Sequence, residues 1–170
     1  MDTREMHGRY PLLHMSIKFT TILFFSCLTT FVNAQALFPE VYKGCNTATM
    51  TLESDTATIT KEPKEIANLL IDNISEQVMR KLAGRITMQI IVYSDGSNCV
   101  FSIENESNID SKELNLKPIF DNNLSWNTHD QLPISVLIEL DFNKGKLNYR
   151  RLGVSTEKGL HELYNAGRPE

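Results

Sequence analysis

The sequence predicts an α+β domain in which a small antiparallel sheet of three or four strands is covered by one long and one short helix. Apolar residues recur at helical spacing over 63–82, and they alternate with other residues over 86–92 and 134–142. An Asp95-Gly96 pair follows the first alternating run and is typical of a reversal between antiparallel strands. The 170 residues, 41% of them hydrophobic, are enough for one core.

Residues 1–34 have the pattern of a secretory leader. The run 19–32 is largely apolar and follows Lys18, but it is shorter than the roughly twenty residues that a membrane-spanning helix needs. Small residues follow this run, so we predict cleavage after Ala34, with an alternative site after Ala36. The mature protein is therefore expected to be periplasmic or secreted.

Three alternatives for this leader follow from the same residues. Translation starting at Met15 is one, because Met15 to Lys18 resembles a basic leader start better than the acidic residues before it. A retained leader acting as a membrane anchor is the second. Lipidation of Cys27 is the third, and it is disfavoured because further apolar residues follow the cysteine.

The charge of the mature chain disfavours one class of partner. Without the leader the chain has 14 basic and 19 acidic residues, a net charge of −5. Nucleic-acid binding requires a clustered basic surface. The densest basic stretch, 144–151, is interpreted as a solvated strand, so we predict no nucleic-acid partner.

Two cysteines, Cys45 and Cys99, remain after removal of the leader. In an oxidising compartment such a pair usually forms a disulfide, which we predict here; two buried free thiols are the alternative. The pair lacks the Cys-x-x-Cys spacing of redox enzymes, so thiol catalysis is not predicted.

The first part of the mature chain predicts little structure before a long helix. The N-terminal segment, residues 35–60, is rich in threonine and predicts at most a short hairpin. A helix can begin at Pro63, where no backbone N–H is needed, and end before Gly84. A break at Asn73 to Ser75 would divide it into two helices. The apolar stripe consists of Ile66, Leu69, Leu70, Ile74, Val78 and Leu82.

Alternation predicts the strands and their faces. On the strand before the Asp95-Gly96 turn, the core face comprises Ile86, Met88, Ile90 and Val92. On the returning strand we expect Cys99, Phe101 and Ile103 to share one face. After Pro133 a long strand follows, with Val136 and Ile138 among its core residues and its other face mostly polar.

The remaining elements complete the predicted domain, residues 61–152. Residues 105–117 form a polar loop, and Pro118 opens a short helix ahead of Trp126. Residues 146–152 are predicted as a fourth strand at the sheet edge. In the tail, 153–170, a weak helical stripe consists of Leu160, Leu163 and Tyr164.

The sequence offers no convergent set of catalytic or metal-binding groups. His129 and His161 each lie in a polar segment, where a solvated side chain is expected. No His-x-x-x-His pair, Cys/His cluster, phosphate-binding glycine loop or Gly-x-Ser-x-Gly elbow occurs. We therefore predict that the protein is not an enzyme and uses no cofactor and no metal.

The order of these motifs resembles the TonB C-terminal domain family over residues 38–142. The shared landmarks are Phe38-Pro39, Gly44-Cys45, Gly84 before the first strand, the Asp95-Gly96 turn, Trp126 after the second helix, and a strand led by Pro133 that ends at Phe142. Asn127 stands where the family usually has proline. The family's anchoring helix and proline-rich spacer are not seen, so a chain with a cleaved leader would bind a partner without transmitting force.

The resemblance implies a protein-binding module of the cell envelope, with an outer-membrane protein among the candidate partners. Recognition is then expected by strand addition to a sheet edge, either 134–142 or 146–152. The expected partner-binding residues are Trp126, Ser135, Leu137, Glu139, Asp141, Lys146 and Asn148. Two other functions stay open: an uncleaved, membrane-anchored energy transducer, and a small-ligand carrier or inhibitor with an apolar pocket between helix and sheet.

Overall fold

The computed structural model describes residues 36–51, 55–143, 146–155 and 157–165. The predicted leader, the alternative start at Met15 and the lipidation site at Cys27 lie outside these residues. None of the helices in the described part is long and apolar enough to cross a membrane.

A six-stranded antiparallel sheet organises the described chain. In order across the sheet, its strands are β1 (Glu40–Val41), β4 (Asn98–Ser107), β3 (Gly84–Val92), β6 (Ile134–Asn143), β7 (Lys146–Ser155) and β8 (Gly159–Asn165). A separate pair is formed by β2 (Thr58–Ile59) and β5 (Trp126–Asn127). The predicted α+β class with an antiparallel sheet is confirmed. The sheet exceeds the predicted three or four strands because the N-terminal segment and the tail each add one.

The described residues contain four helices where one long and one short helix were predicted. The long helix is divided at Asn73 to Ser75, as the alternative stated, and a further short helix lies in the predicted loop 105–117. The four helices are α1 (Pro63–Asn73), α2 (Glu76–Lys81), α3 (Ser111–Leu114) and α4 (Leu116–Asn123). Ser75 separates the first two, and its hydroxyl accepts a hydrogen bond from the backbone N–H of Val78. The helix predicted from Pro118 begins two residues earlier, because proline is tolerated in a first turn, where the N–H groups have no helical acceptor.

The hairpin of β3 and β4 forms at the predicted turn, where Gly96 has a φ of +79°. Its ladder shifts register between Gln89 and Ile90, which leaves Phe101 unpaired with β3. This bulge reverses the alternation along β4. Cys99 and Ile103 therefore point to opposite faces of the sheet, and the prediction that they share a face is wrong.

The core lies between the helices and one face of the sheet. Ile90, Val92, Val136 and Ile138 are all fully buried, as the alternation predicted. They belong to one apolar cluster with the inward residues of α1 and α4, which include Ile66 and Phe120. Burial of this face explains why the helical stripe and the strand alternation have the spacing seen in the sequence.

The strands predicted to form a binding edge are interior. β6 pairs with β3 and β7, and β7 pairs with β6 and β8, so both are paired on each side. The predicted edge is wrong because the tail forms a strand and not a helix. Gly159, with a φ of +64°, lets the chain reverse after β7 and pair with the backbone that β7 would otherwise expose.

Candidate functional site

Of the residues predicted to bind a partner, Trp126 lies in the core, whereas all the others lie on the adjacent strands β6 and β7. It is 4% exposed, and its indole N–H donates to the side-chain oxygen of Asn98 at 2.9 Å. The guanidinium of Arg151 stands over the ring, 5.7 Å from its centroid. Trp126 thus stabilises the junction of β4, β5 and β7, and it is not exposed as an apolar anchor.

Ser135 and Leu137 lie on the face of the sheet opposite the core, called the rear face here, and both are buried. The Ser135 hydroxyl accepts from the amide N–H of Gln89 at 2.9 Å. The amide oxygen of Gln89 accepts from Ser102 at 2.7 Å and from the backbone of Leu37 at 2.9 Å. The expected polar face is therefore partly a buried hydrogen-bond network.

Glu139 belongs to a charged cluster on the rear face and is 6% exposed. Its carboxylate pairs with Arg150 of β7, whose guanidinium is also 3.9 Å from the carboxylate of Glu162 on β8. Asp141 and Asn148 face each other across β6 and β7, and Lys146 is exposed at the start of β7. The cluster links three neighbouring strands and helps to hold β8 against the sheet.

The outer side of β8 has no strand partner among the residues that the structure describes. Leu160, Leu163 and Tyr164 on this strand are 62%, 39% and 46% exposed. His161, expected to be solvated, is placed with its Nε2 3.0 Å from the carboxylate of Asp55. An exposed edge strand with apolar side chains is a template for pairing with another chain.

At the opposite side of the sheet the edge strand is β1, which has two residues against seven in β8. β1 pairs with the middle of β4, and the carboxylate of Asp121 accepts the backbone N–H of Val100 at 2.6 Å. The predicted disulfide between Cys45 and Cys99 is confirmed, with 5.6 Å between the Cα atoms. It fastens the N-terminal segment to β4, so the two edges of the sheet differ in length and in covalent attachment.

A groove of about 400 Å³ lies beside β8, between β2, the start of α1 and the core face of β7. We call it the β8 groove. Four charged residues, Asp55, Lys61, Glu62 and Arg151, line part of it. Its other lining residues are Ala57, Thr58, Ile59, Pro63, Tyr149, Leu163 and Tyr164.

Burial changes the acid–base behaviour of two groups in the β8 groove. Desolvation raises the pKa of Tyr149 to about 12, with a smaller opposing effect of the Arg151 charge. Desolvation also lowers the pKa of Arg151 to about 10, and the charge of Asp55 opposes this effect. The groove thus combines a neutral phenol with a cation at neutral pH.

The described ranges contain no group of three or more His, Cys, Asp or Glu side chains able to hold a metal ion. The β8 edge was missed in the sequence, because residues 160–164 do not alternate between apolar and polar, and Gly159 alone indicated a reversal after β7. Comparison with known proteins gives no match to a family model, a curated protein or a solved structure.

Proposed function

We propose that this chain is an exported protein-binding module of the TonB C-terminal kind, which recognises an extended segment of a cell-envelope protein by strand addition to β8. The observation that carries the proposal is the open outer side of β8, which pairs with β7 alone within the described residues. Unpaired N–H and C=O groups on such a strand provide affinity for an extended partner. The Cys45–Cys99 disulfide supports an oxidising compartment.

The β8 groove supplies a basis for choosing among partner segments. Side chains of an added strand alternate between the two faces of the sheet, so every second one lies on the core face beside the groove. Leu163 and Tyr164 form the groove wall on β8, and the Tyr164 ring is 6.1 Å from that of Tyr149. This lining favours a partner segment with an apolar or aromatic residue at alternate positions.

Substitution of Leu160 by lysine tests the proposal. Leu160 is 62% exposed, so Leu160→Lys spares the core while it places a charge on the edge, which discourages strand pairing. Ile71→Lys is the matched control, because Ile71 is 59% exposed but lies on α1. We expect wild type and Ile71→Lys to capture the same envelope protein, and Leu160→Lys to bind it about tenfold more weakly, about 1.4 kcal/mol.

Hydrogen exchange on the isolated complex provides the second measurement. Strand addition protects the outward-facing amides of β8, because they then donate to the partner backbone. Amides at the covered β4 edge are not expected to change. Full capture by Leu160→Lys together with unchanged exchange along β8 would show that the partner binds elsewhere.

A further inference from the structure

The ammonium group of Lys117 lies against the disulfide. Its Nζ is 3.0 Å from the sulfur of Cys99 and 3.7 Å from that of Cys45. The same nitrogen donates to the carboxylate of Asp121 at 2.7 Å and to the carbonyl of Val100 at 3.0 Å. Two oxygen acceptors therefore hold a partly buried cation beside the sulfur–sulfur bond.

A cation in this position favours the reduced state of the bond. Its attraction to a neutral disulfide is small, whereas its attraction to a thiolate is that of opposite charges in contact. Lys117 lies nearer to Cys99 than to Cys45, so the thiolate of Cys99 gains more. Asp121 and Val100 already position the ammonium group of Lys117, so this group needs little movement when Cys99 becomes a thiolate.

We propose that Cys45–Cys99 is an exchange-active disulfide, in which the thiolate of a small-molecule thiol attacks Cys45 and expels Cys99 as a thiolate that Lys117 stabilises. The direction of attack follows from access, because Cys99 is 9% exposed and Cys45 is half-buried in the N-terminal segment. A leaving thiolate that is stabilised departs faster, so the same lysine accelerates exchange and favours reduction.

The exchange balances in two steps. The attacking thiolate forms a bond to the Cys45 sulfur while the Cys45–Cys99 bond breaks, and the electron pair of the broken bond stays on the Cys99 sulfur. A second thiolate then attacks the sulfur of the bound small molecule and releases Cys45 as a thiolate. Two small thiols are oxidised to their disulfide, and the protein gains two electrons.

Reduction changes how the N-terminal segment is held. The segment remains paired with β4 through the two residues of β1, with the Tyr42 N–H donating to the Phe101 carbonyl at 2.8 Å. Without the covalent bond, this short ladder opens more readily. The reduced protein is therefore expected to expose the edge of β4 more often than the oxidised protein, although the hydrogen bond from the Leu37 N–H to Gln89 is kept.

Equilibration of the oxidised mature protein in glutathione redox buffers tests the proposal. The fraction of disulfide is read by acid quench, alkylation and mass measurement. We expect Lys117→Met to shift the equilibrium toward the disulfide about tenfold, about 30 mV for two electrons. Lys117→Arg, which keeps the cation, restores most of the wild-type value. Lys112→Met, at an exposed lysine of α3, is the control and behaves as wild type.

A kinetic experiment on the wild type is independent of whether the variants fold. After brief exposure to reduced glutathione, quenching and digestion locate the mixed disulfide. Glutathione on Cys45 supports the proposed direction, and glutathione on Cys99 overturns it. Equal equilibrium constants for wild type and folded Lys117→Met would overturn the role of the lysine, leaving a purely structural disulfide.

Discussion

Tyr149 shows how burial of a single polar atom affects the molecule. The side chain is 2% exposed, and its hydroxyl has no hydrogen-bond partner among the described residues. A buried donor without an acceptor costs roughly 1–3 kcal/mol. Because desolvation raises the pKa of Tyr149 to about 12, the phenol also resists ionisation in the folded state. The hydroxyl is thus expected to lower stability at neutral pH and to lower it further in alkali.

At pH 8 we expect the free energy of unfolding of Tyr149→Phe to equal or exceed that of wild type. In the unfolded chain the phenol ionises near pH 10, whereas in the folded protein it does so near pH 12. Wild type therefore loses stability relative to the variant as pH rises through this window, by at most about 1.4 kcal/mol per pH unit. Urea unfolding at pH 8 and 11 measures the effect. Arg151 is present in both proteins. A difference in unfolding free energy that does not change with pH would therefore contradict the raised pKa of Tyr149.

Predictions about single residues were confirmed where the feature depends on the nearby sequence. The pairing of Cys45 with Cys99 was predicted because only these two cysteines follow the predicted leader, and the burial of Ile90 and Val136 was predicted from alternation. The environment of Trp126 does not, because Asn98 and Arg151 reach it from distant parts of the chain. An anchor and a core residue have the same sequence signal, so only tertiary contacts separate them.

Elements were predictable in proportion to their length and periodicity. β3 and β6 have repeated apolar spacing, and each appears within a few residues of its predicted position, whereas the predicted helix over 63–82 is divided into α1 and α2. β8 has only seven residues, and its apolar residues also fit helical spacing. Pairing with the adjacent edge of β7 favours the strand, because this non-local contact outweighs the weak helical preference of the segment.

Gly84, at the start of β3, offers a test of how one element is positioned against another. Its φ is +109°, and a Cβ there would lie 2.5 Å from the Glu106 carbonyl oxygen on β4. Gly44 has a similar φ of +100° but open space around it, which makes it the matched control. We expect Gly44→Ala to cost about 1–2 kcal/mol through backbone strain and Gly84→Ala at least about 1 kcal/mol more through the clash. Denaturant unfolding measures both; equal losses would contradict close packing of β3 on β4.

The part of the molecule that the structure describes is built on a six-stranded antiparallel sheet whose two edges differ. On one side, β1 and the disulfide close the edge of β4, with Lys117 against the sulfur atoms. Four strands away, β8 has exposed apolar residues and the β8 groove beside it. This separation predicts that redox chemistry at the first edge and partner binding at the second respond to different substitutions. The sequence indicated β3, β4, β6 and β7, but it did not predict β8 or the order of the strands across the sheet.

The stability of the whole fold should depend on the disulfide. Cys45 and Cys99 are 54 residues apart, and closing a loop of this length stabilises a folded protein by about 4 kcal/mol in the chain-entropy account. We expect the double substitution Cys45→Ala and Cys99→Ala to lower the free energy of unfolding by this amount, measured with urea. Reduced wild type should lose a similar amount, whereas a reductant should leave the double variant unchanged. Partner capture through β8 should persist while the variant is folded, because that edge lies across the sheet. A loss below about 1 kcal/mol would mean that the unfolded chain already holds the two cysteines close together.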